Sequence, residues 1–129
     1  MQMIRAPESL DVIVTCNLFG DIVTDLGAAL QGGLGMAASA NVRPGSVSMF
    51  EPVHGSAPDI AGKDLANPLA TVLTIGMMMT HLGFAGEEAR LTDIARRAVE
   101  GGHCTADVGG KLGTRAVGDW VVSELRARV

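Results

Sequence analysis

The chain has 129 residues, one domain's worth and enough to bury a real core. Its hydrophobic content of 47% and mean hydropathy of +0.30 lie at the apolar end of the soluble range, so most helices are expected to be largely buried. Aromatics at 3%, the absence of Tyr and a net charge of −4 exclude a nucleic-acid module, which needs stacking platforms on a basic groove.

In chain order, the N-terminus does not read as a signal peptide, because Pro7 and Glu8 arrive before an apolar core can form. Asp11 to Thr15 is a short β-branched run, which predicts a strand buried on both faces. Asn17 is positioned to cap a helix from about Leu18 to Leu30, and the glycines of Gln31-Gly32-Gly33-Leu34-Gly35 stop it. Asn41 to Ser46 reads as a loop, and Val47 to Glu51 alternates as a strand.

Asn67-Pro68 opens the next helix, since proline in a first turn forfeits no hydrogen bond. Leu69 to Met79 is apolar nearly all round, which predicts a central helix ended by Gly83. Thr71 and Thr74 interrupt it well short of the roughly 18 residues a membrane span needs, so a soluble protein is expected. Glu87 to Glu100 is amphipathic, with Leu91, Ile94, Ala95 and Ala98 on one face. A glycine-rich loop follows from Thr105 to Gly113. A terminal helix then spans Thr114 to Val129, with Val117, Trp120, Val121 and Leu125 on one stripe.

Cys16 and Cys104 form no CxxC or Cys/His ligand spacing and read as free thiols in a reducing cytoplasm. His54, His81 and His103 show no HxxxH pairing, which argues against zinc. His81 and His103 read as structural or surface residues, Lys111 and Arg115 as solvated charges, and Met77 to Met79 as adaptable packing.

Two segments carry chemistry. Asp21 and Asp25 stand four residues apart, so both carboxylates leave one side of the helix. Like charges there repel unless a cation sits between them, and Mg²⁺ or Mn²⁺ with water and substrate oxygens fits. A bare DxxxD is more often a solvated acidic face. Two features favour the metal: the remainder of this helix is apolar, and it contains no Lys or Arg.

The second segment runs from His54 to Asn67. Gly55, Ser56 and Ala57 are small enough for backbone amides to approach a phosphate or ribose. Asp59 suits a ribose diol and would repel a 2′-phosphate, favouring NAD over NADP. The Asn67 amide carries the donor and acceptor an adenine edge requires. On composition alone an ordinary turn-rich loop explains the segment equally well. Gly33 to Ala38 superficially matches G-x-G-x-x-A, but it closes a helix where the dinucleotide motif opens one. Gly55 to Asp64 fails as a P-loop, because the spacing is too long and Asp64 stands where Ser or Thr must be.

Asn17-Leu18-Phe19-Gly20-Asp21 with Asp25, the run from Glu51 to Lys63, and Ala66-Asn67-Pro68 together resemble the metal-dependent decarboxylating β-hydroxyacid dehydrogenases. This family includes isopropylmalate, isocitrate, homoisocitrate and tartrate/D-malate dehydrogenases. Thr105 to Gly110 is similar to the family's late loop, and the resemblance covers essentially the whole chain. It implies an α/β chain forming part of the two-domain isopropylmalate-dehydrogenase-like fold, with the N-terminal portion absent. Residues 1–31 would belong to the dimer-forming domain and residues 32–129 to the dinucleotide-binding domain.

The same resemblance implies that Asp21 and Asp25 bind Mg²⁺ or Mn²⁺. The NAD set would be His54, Gly55, Ser56, Ala57, Asp59 and Asn67, with Asp107 near the adenosine end. Asp59-Ile60 resembles the NAD-preferring form. Ala28 to Gly35 and Ser48-Met49-Phe50 look most like the tartrate/D-malate branch, with isopropylmalate the runner-up. The implied chemistry is oxidation of a small 2-hydroxy acid with decarboxylation, in a homodimeric full-length enzyme. The catalytic Tyr and Lys are expected outside this chain, which would leave it inactive alone; a non-catalytic nucleotide- or metal-binding remnant is the other reading.

Overall fold

A computed structural model describes residues 1–127. After a single turn at Gln2–Arg5 (α1) and a 3₁₀ turn at Pro7–Ser9, the described chain contains four longer helices and one hairpin. These are α2 (Asn17–Leu30), β1 (Ala38–Asn41), β2 (Met49–Pro52), α3 (Leu69–His81), α4 (Glu87–Glu100) and α5 (Thr114–Arg126). Short 3₁₀ turns fall at Leu34–Met36 and Ala106–Val108.

The core is helical. Leu69 of α3, Leu91, Ile94, Ala95 and Ala98 of α4, and Val117 and Val121 of α5 pack around Cys104. The stripe read from residues 87–100 is therefore the buried one, and Val117 and Val121 lead the stripe of α5, with Trp120 and Leu125 packed against the cluster. α3 lies close against α4, because Gly76 removes the side chain at the crossing. A Cβ there would lie 3.1 Å from Glu88 Cα.

Polar contacts lock α4 to α5. Arg90 Nη2 donates to the Leu125 carbonyl at 2.8 Å, which satisfies one of the open carbonyls in the last turn of α5. Arg97 pairs with Glu124 of α5 and, at 3.0 Å, with Asp93. His103 and Trp120 stack with ring centroids 4.8 Å apart, and the Phe50 and His81 centroids are 5.3 Å apart, so both histidines are structural partners.

The hairpin pairs β1 and β2 antiparallel, with Ser39 opposite Glu51 and Ala40 opposite Phe50. β2 occupies the predicted strand, shifted by one or two residues. β1 does not read from its sequence, since Ala-Ser-Ala-Asn carries no β-branched residue. Its pairing with β2 makes it a strand.

The N-terminal part departs from expectation. Residues 11–15 form no ladder among the described residues, and Val12 and Val14 are 82% and 92% exposed. A strand buried on both faces needs paired strands at its edges and layers packed over its faces, and the described chain pairs no strand with this segment. Asn17 is not a cap but the first residue of α2, with Cys16 at the cap position. α2 is likewise a surface helix here: Ala28 is buried, while Leu18, Phe19, Ile22, Leu26 and Leu30 are exposed.

Candidate functional site

Within α2, Asn17 Nδ2 donates to Asp21 Oδ2 at 3.3 Å. One turn on, the Thr24 hydroxyl donates back to the Gly20 carbonyl at 2.9 Å. Asp21 and Asp25 are both exposed, and among the described residues neither carboxylate forms an ion pair. Their oxygens are hard donors that suit Mg²⁺ or Mn²⁺, which accept one or two carboxylates and complete the shell with other oxygens. Among the described residues no group of three His, Cys, Asp or Glu could enclose an ion. The two aspartates supply oxygen donors of the kind such an ion takes, with no third group beside them among the described residues.

An open cleft of about 900 Å³ separates α2 from the hairpin side. Asn17, Asp21 and Thr24 line one wall, and Glu51, His54 and Gly55 line the other. A second hollow of about 620 Å³ is bordered by His54 to Ala57, Asp64 and the start of α5 at Thr114 and Arg115. His54 and Gly55 border both spaces, so the motif loop is the partition between them. Asp21, His54, Gly55, Ser56 and Ala57 are thus gathered around two adjoining spaces. Asp25, Asp59, Asn67 and Asp107 border neither. His54 Nδ1 lies 3.0 Å from the Gly55 carbonyl; a carbonyl only accepts, so this contact places a proton on Nδ1.

The loop after His54 turns through left-handed backbone at Ala57 (φ 43°), Gly62 (φ 76°) and Asp64 (φ 58°). Glycine accepts this freely, aspartate tolerates it, and alanine carries a cost on the order of 1 kcal/mol. Asp64 also reaches the start of α5. Its carbonyl accepts from Thr114 N at 3.1 Å, and its Oδ1 accepts from Arg115 N at 3.0 Å. The Thr114 hydroxyl donates to the Ala66 carbonyl at 2.6 Å. A side chain at Gly113 would overlap Asp64. Sequence reasoning missed this role, because the capping residue precedes its helix by some fifty positions and no local spacing shows the pairing. Arg115, read as a solvated charge, belongs to the wall of the smaller hollow.

Asn67, the residue expected at the adenine edge, is held inside the protein. Its side chain is buried, with Oδ1 accepting from Leu69 N at 2.9 Å and Nδ2 donating to Asp107 Oδ2 at 3.0 Å. Nδ2 also lies 3.7 Å from Met36 Sδ. Both donor hydrogens of the amide are thus engaged within the protein in this structure. Asp107 receives a second hydrogen bond from Thr105 Oγ1 at 2.5 Å, so its carboxylate secures the late loop. Gly35 lies against the pair, and a Cβ there would come 2.6 Å from Asp107 Oδ2.

A family model described as isocitrate/isopropylmalate dehydrogenase matches residues 1–121, a span that contains every candidate residue named above. The chain belongs to the isocitrate/isopropylmalate dehydrogenase family. Among curated members, it is 49% identical to 3-isopropylmalate dehydrogenase of Streptomyces avermitilis, over 90% of this chain and 35% of that protein. It is 47% identical to homoisocitrate dehydrogenase of Methanocaldococcus jannaschii, over 100% of this chain and 37% of that protein. It is 46% identical to a probable tartrate dehydrogenase/decarboxylase of Bacillus subtilis, over 95% of this chain and 35% of that protein.

Among solved dehydrogenases of this kind, isocitrate dehydrogenase from Methylococcus capsulatus is similar with a TM-score of 0.79 and 42% identity, over 98% of this chain and 38% of that chain. A β-decarboxylating dehydrogenase from Thermococcus kodakarensis gives a TM-score of 0.82 and 40% identity, over 98% and 37%. The chain thus spans a little over a third of these relatives and has the corresponding part of the isocitrate/isopropylmalate dehydrogenase fold. No helix among the described residues is long and apolar enough to cross a membrane.

Proposed function

We propose that this chain supplies the metal-helix wall and the NAD wall of a decarboxylating 2-hydroxy-acid dehydrogenase acting on tartrate or D-malate. 3-Isopropylmalate is the alternative substrate. The observation that carries this reading is the His54-Gly55 partition. It stands between the cleft that Asp21 lines and the hollow that Ser56 and Ala57 line, so substrate and cofactor spaces would adjoin.

A divalent ion bound at Asp21 and Asp25 would supply Lewis-acid stabilisation of negative charge developing on substrate oxygens. The chain's own residues have distinct tasks. Asn17 holds the Asp21 carboxylate from within the helix. Gly55, Ser56 and Ala57 leave their backbone amides open to a phosphate or ribose, being exposed and small. The Asp59 carboxylate, also exposed, disfavours a 2′-phosphate and so favours NAD. Asn67 and Asp107, expected at the adenosine end, hold each other through the hydrogen bond between them.

Division of the chain near residue 31 is part of the same proposal. It is supported by the core, whose buried cluster lies entirely within residues 69–121. The resemblance places the acid–base Tyr and Lys outside this chain, which contains no Tyr, so the chain by itself is expected to give no turnover.

Calorimetry with NAD and NADP tests the cofactor half of the proposal. Binding of NAD in preference to NADP is expected, and absence of heat at millimolar NAD would remove the NAD wall. Assays with D-malate, tartrate and 3-isopropylmalate plus Mn²⁺ test the rest. No turnover is expected from the chain alone, and turnover is expected on co-expression with a complementary N-terminal part of a relative.

A further inference from the structure

We propose that Asp64 is a positioning residue that clamps the loop of residues 54–66 to the first turn of α5 and so fixes the wall of the smaller hollow before a ligand arrives. The inference rests on reading that hollow as the dinucleotide site.

The loop has little else to hold it. Its residues from Gly55 to Asp59 and from Ala61 to Ala66 are exposed, and none joins the buried helical cluster. Its internal hydrogen bonds are short turns, Ile60 N to the Ala57 carbonyl and Lys63 N to the Ile60 carbonyl, both at 3.1 Å. Among the described residues, hydrogen bonds from residues 55–66 to another element come from two positions. Asp64 accepts from Thr114 N and Arg115 N, and Ala66 accepts from the Thr114 hydroxyl.

The conformation of Asp64 gives this arrangement its purpose. At φ 58° its carbonyl and its carboxylate both meet the first turn of α5. That turn has free N–H groups for a carboxylate to satisfy. α5 is itself seated in the core through Val117 and Val121, so the clamp ties an exposed segment to a buried one. The residue therefore combines tolerance of left-handed backbone with a charged acceptor. Glycine supplies the first property alone, and asparagine supplies the first with a weaker acceptor.

The test uses the full 129-residue chain and two variants, with NAD as the probe in calorimetry and backbone amide exchange as a second readout. Asp64→Gly keeps the turn and removes the carboxylate. It should weaken NAD binding by about fivefold to tenfold, the factor that about 1 kcal/mol of lost capping energy becomes when NAD must order the loop itself. It should also speed exchange at Arg115 and through the loop while Leu91 to Ala98 stay protected. Asp64→Asn should restore both quantities to within about twofold, because it keeps an acceptor for Arg115 N.

Unchanged NAD affinity in Asp64→Gly, or faster exchange spread evenly over the α4 core, would overturn the clamp. If the unaltered chain fails to bind NAD, the dinucleotide reading falls. The exchange pattern then still decides whether Asp64 holds the loop.

Discussion

Asn67 Nδ2 donates to Asp107 Oδ2 at 3.0 Å, a bond that joins the segment leading into α3 to the loop before α5 across forty positions of sequence. Asn67 is buried but Asp107 is exposed, so truncating the acceptor removes the bond and lets water take its place. Asp107→Ala is therefore expected to lower stability by about 0.5–1.5 kcal/mol, seen as a lower urea midpoint at constant slope. Asp107→Asn retains an oxygen for the bond and should cost less. Equal midpoints for wild type and Asp107→Ala would show that the network carries no weight.

Gly35 tests the same junction from the other side. An added methyl would lie 2.6 Å from Asp107 Oδ2 and 2.9 Å from Asn67 Cβ, closer than carbon atoms pack. Gly35→Ala should cost about 1–3 kcal/mol, the usual range for overpacking. Gly33→Ala offers a contrast, since no atom lies within 4 Å of its Cβ position and the penalty there comes from its φ of 101° alone.

Much of the helical core was legible because its signal is local. Leu91, Ile94, Ala95 and Ala98 repeat at helical spacing, and the face they mark is the buried one. The same logic misled at residues 11–30. Apolar residues there mark a surface that wants covering, and the described chain does not cover it, so Val14 and Phe19 remain exposed. Composition reports the wish to be buried but not which element answers it. Of the candidate site, the small residues of His54 to Ala57 drew attention to a loop that borders both spaces. The Asp64–Arg115 and Asn67–Asp107 pairs were not legible, because neither falls within the window of any helix, turn or strand pattern.

The exposure of α2 gives an expectation opposite to that from composition. Phe19→Ser and Ile22→Ser should shift the stability of the isolated chain by no more than about 0.5 kcal/mol, as substitutions outside a core do. Ile94→Ala removes a fully buried side chain and should cost about 2–5 kcal/mol. A large loss at Phe19 would mean that α2 is packed against something in solution.

Metal affinity separates the two aspartates. Asp21 lines the larger cleft and Asp25 does not, so Asp21→Asn should weaken Mn²⁺ binding more than Asp25→Asn. Electron paramagnetic resonance titration of free Mn²⁺ measures both without any turnover. Equal binding by wild type and the doubly substituted chain would remove the metal from this helix.

The stability of the chain should fall at both ends of the pH scale for named reasons. At the acid end, hydrogen bonds from Arg96 and then Arg97 hold the Asp93 carboxyl below its usual value of 3.8. The folded state thus loses its proton more readily than the unfolded chain. That contribution is complete above 3.8 and disappears as pH falls through the lower folded value, and Asp93→Asn should flatten this limb. At the alkaline end, burial raises the Cys104 thiol above its usual value of 9.0, with the Asp107 charge adding to the effect. Unfolded chains then ionise first as pH rises past 9.0, so stability declines from there, and Cys104→Ala should abolish the decline. Cys16 is exposed and Cys104 buried, so a thiol reagent at neutral pH should label one sulfur promptly and the second only in denaturant. Prompt labelling of both would place Cys104 outside the core and remove the alkaline argument with it.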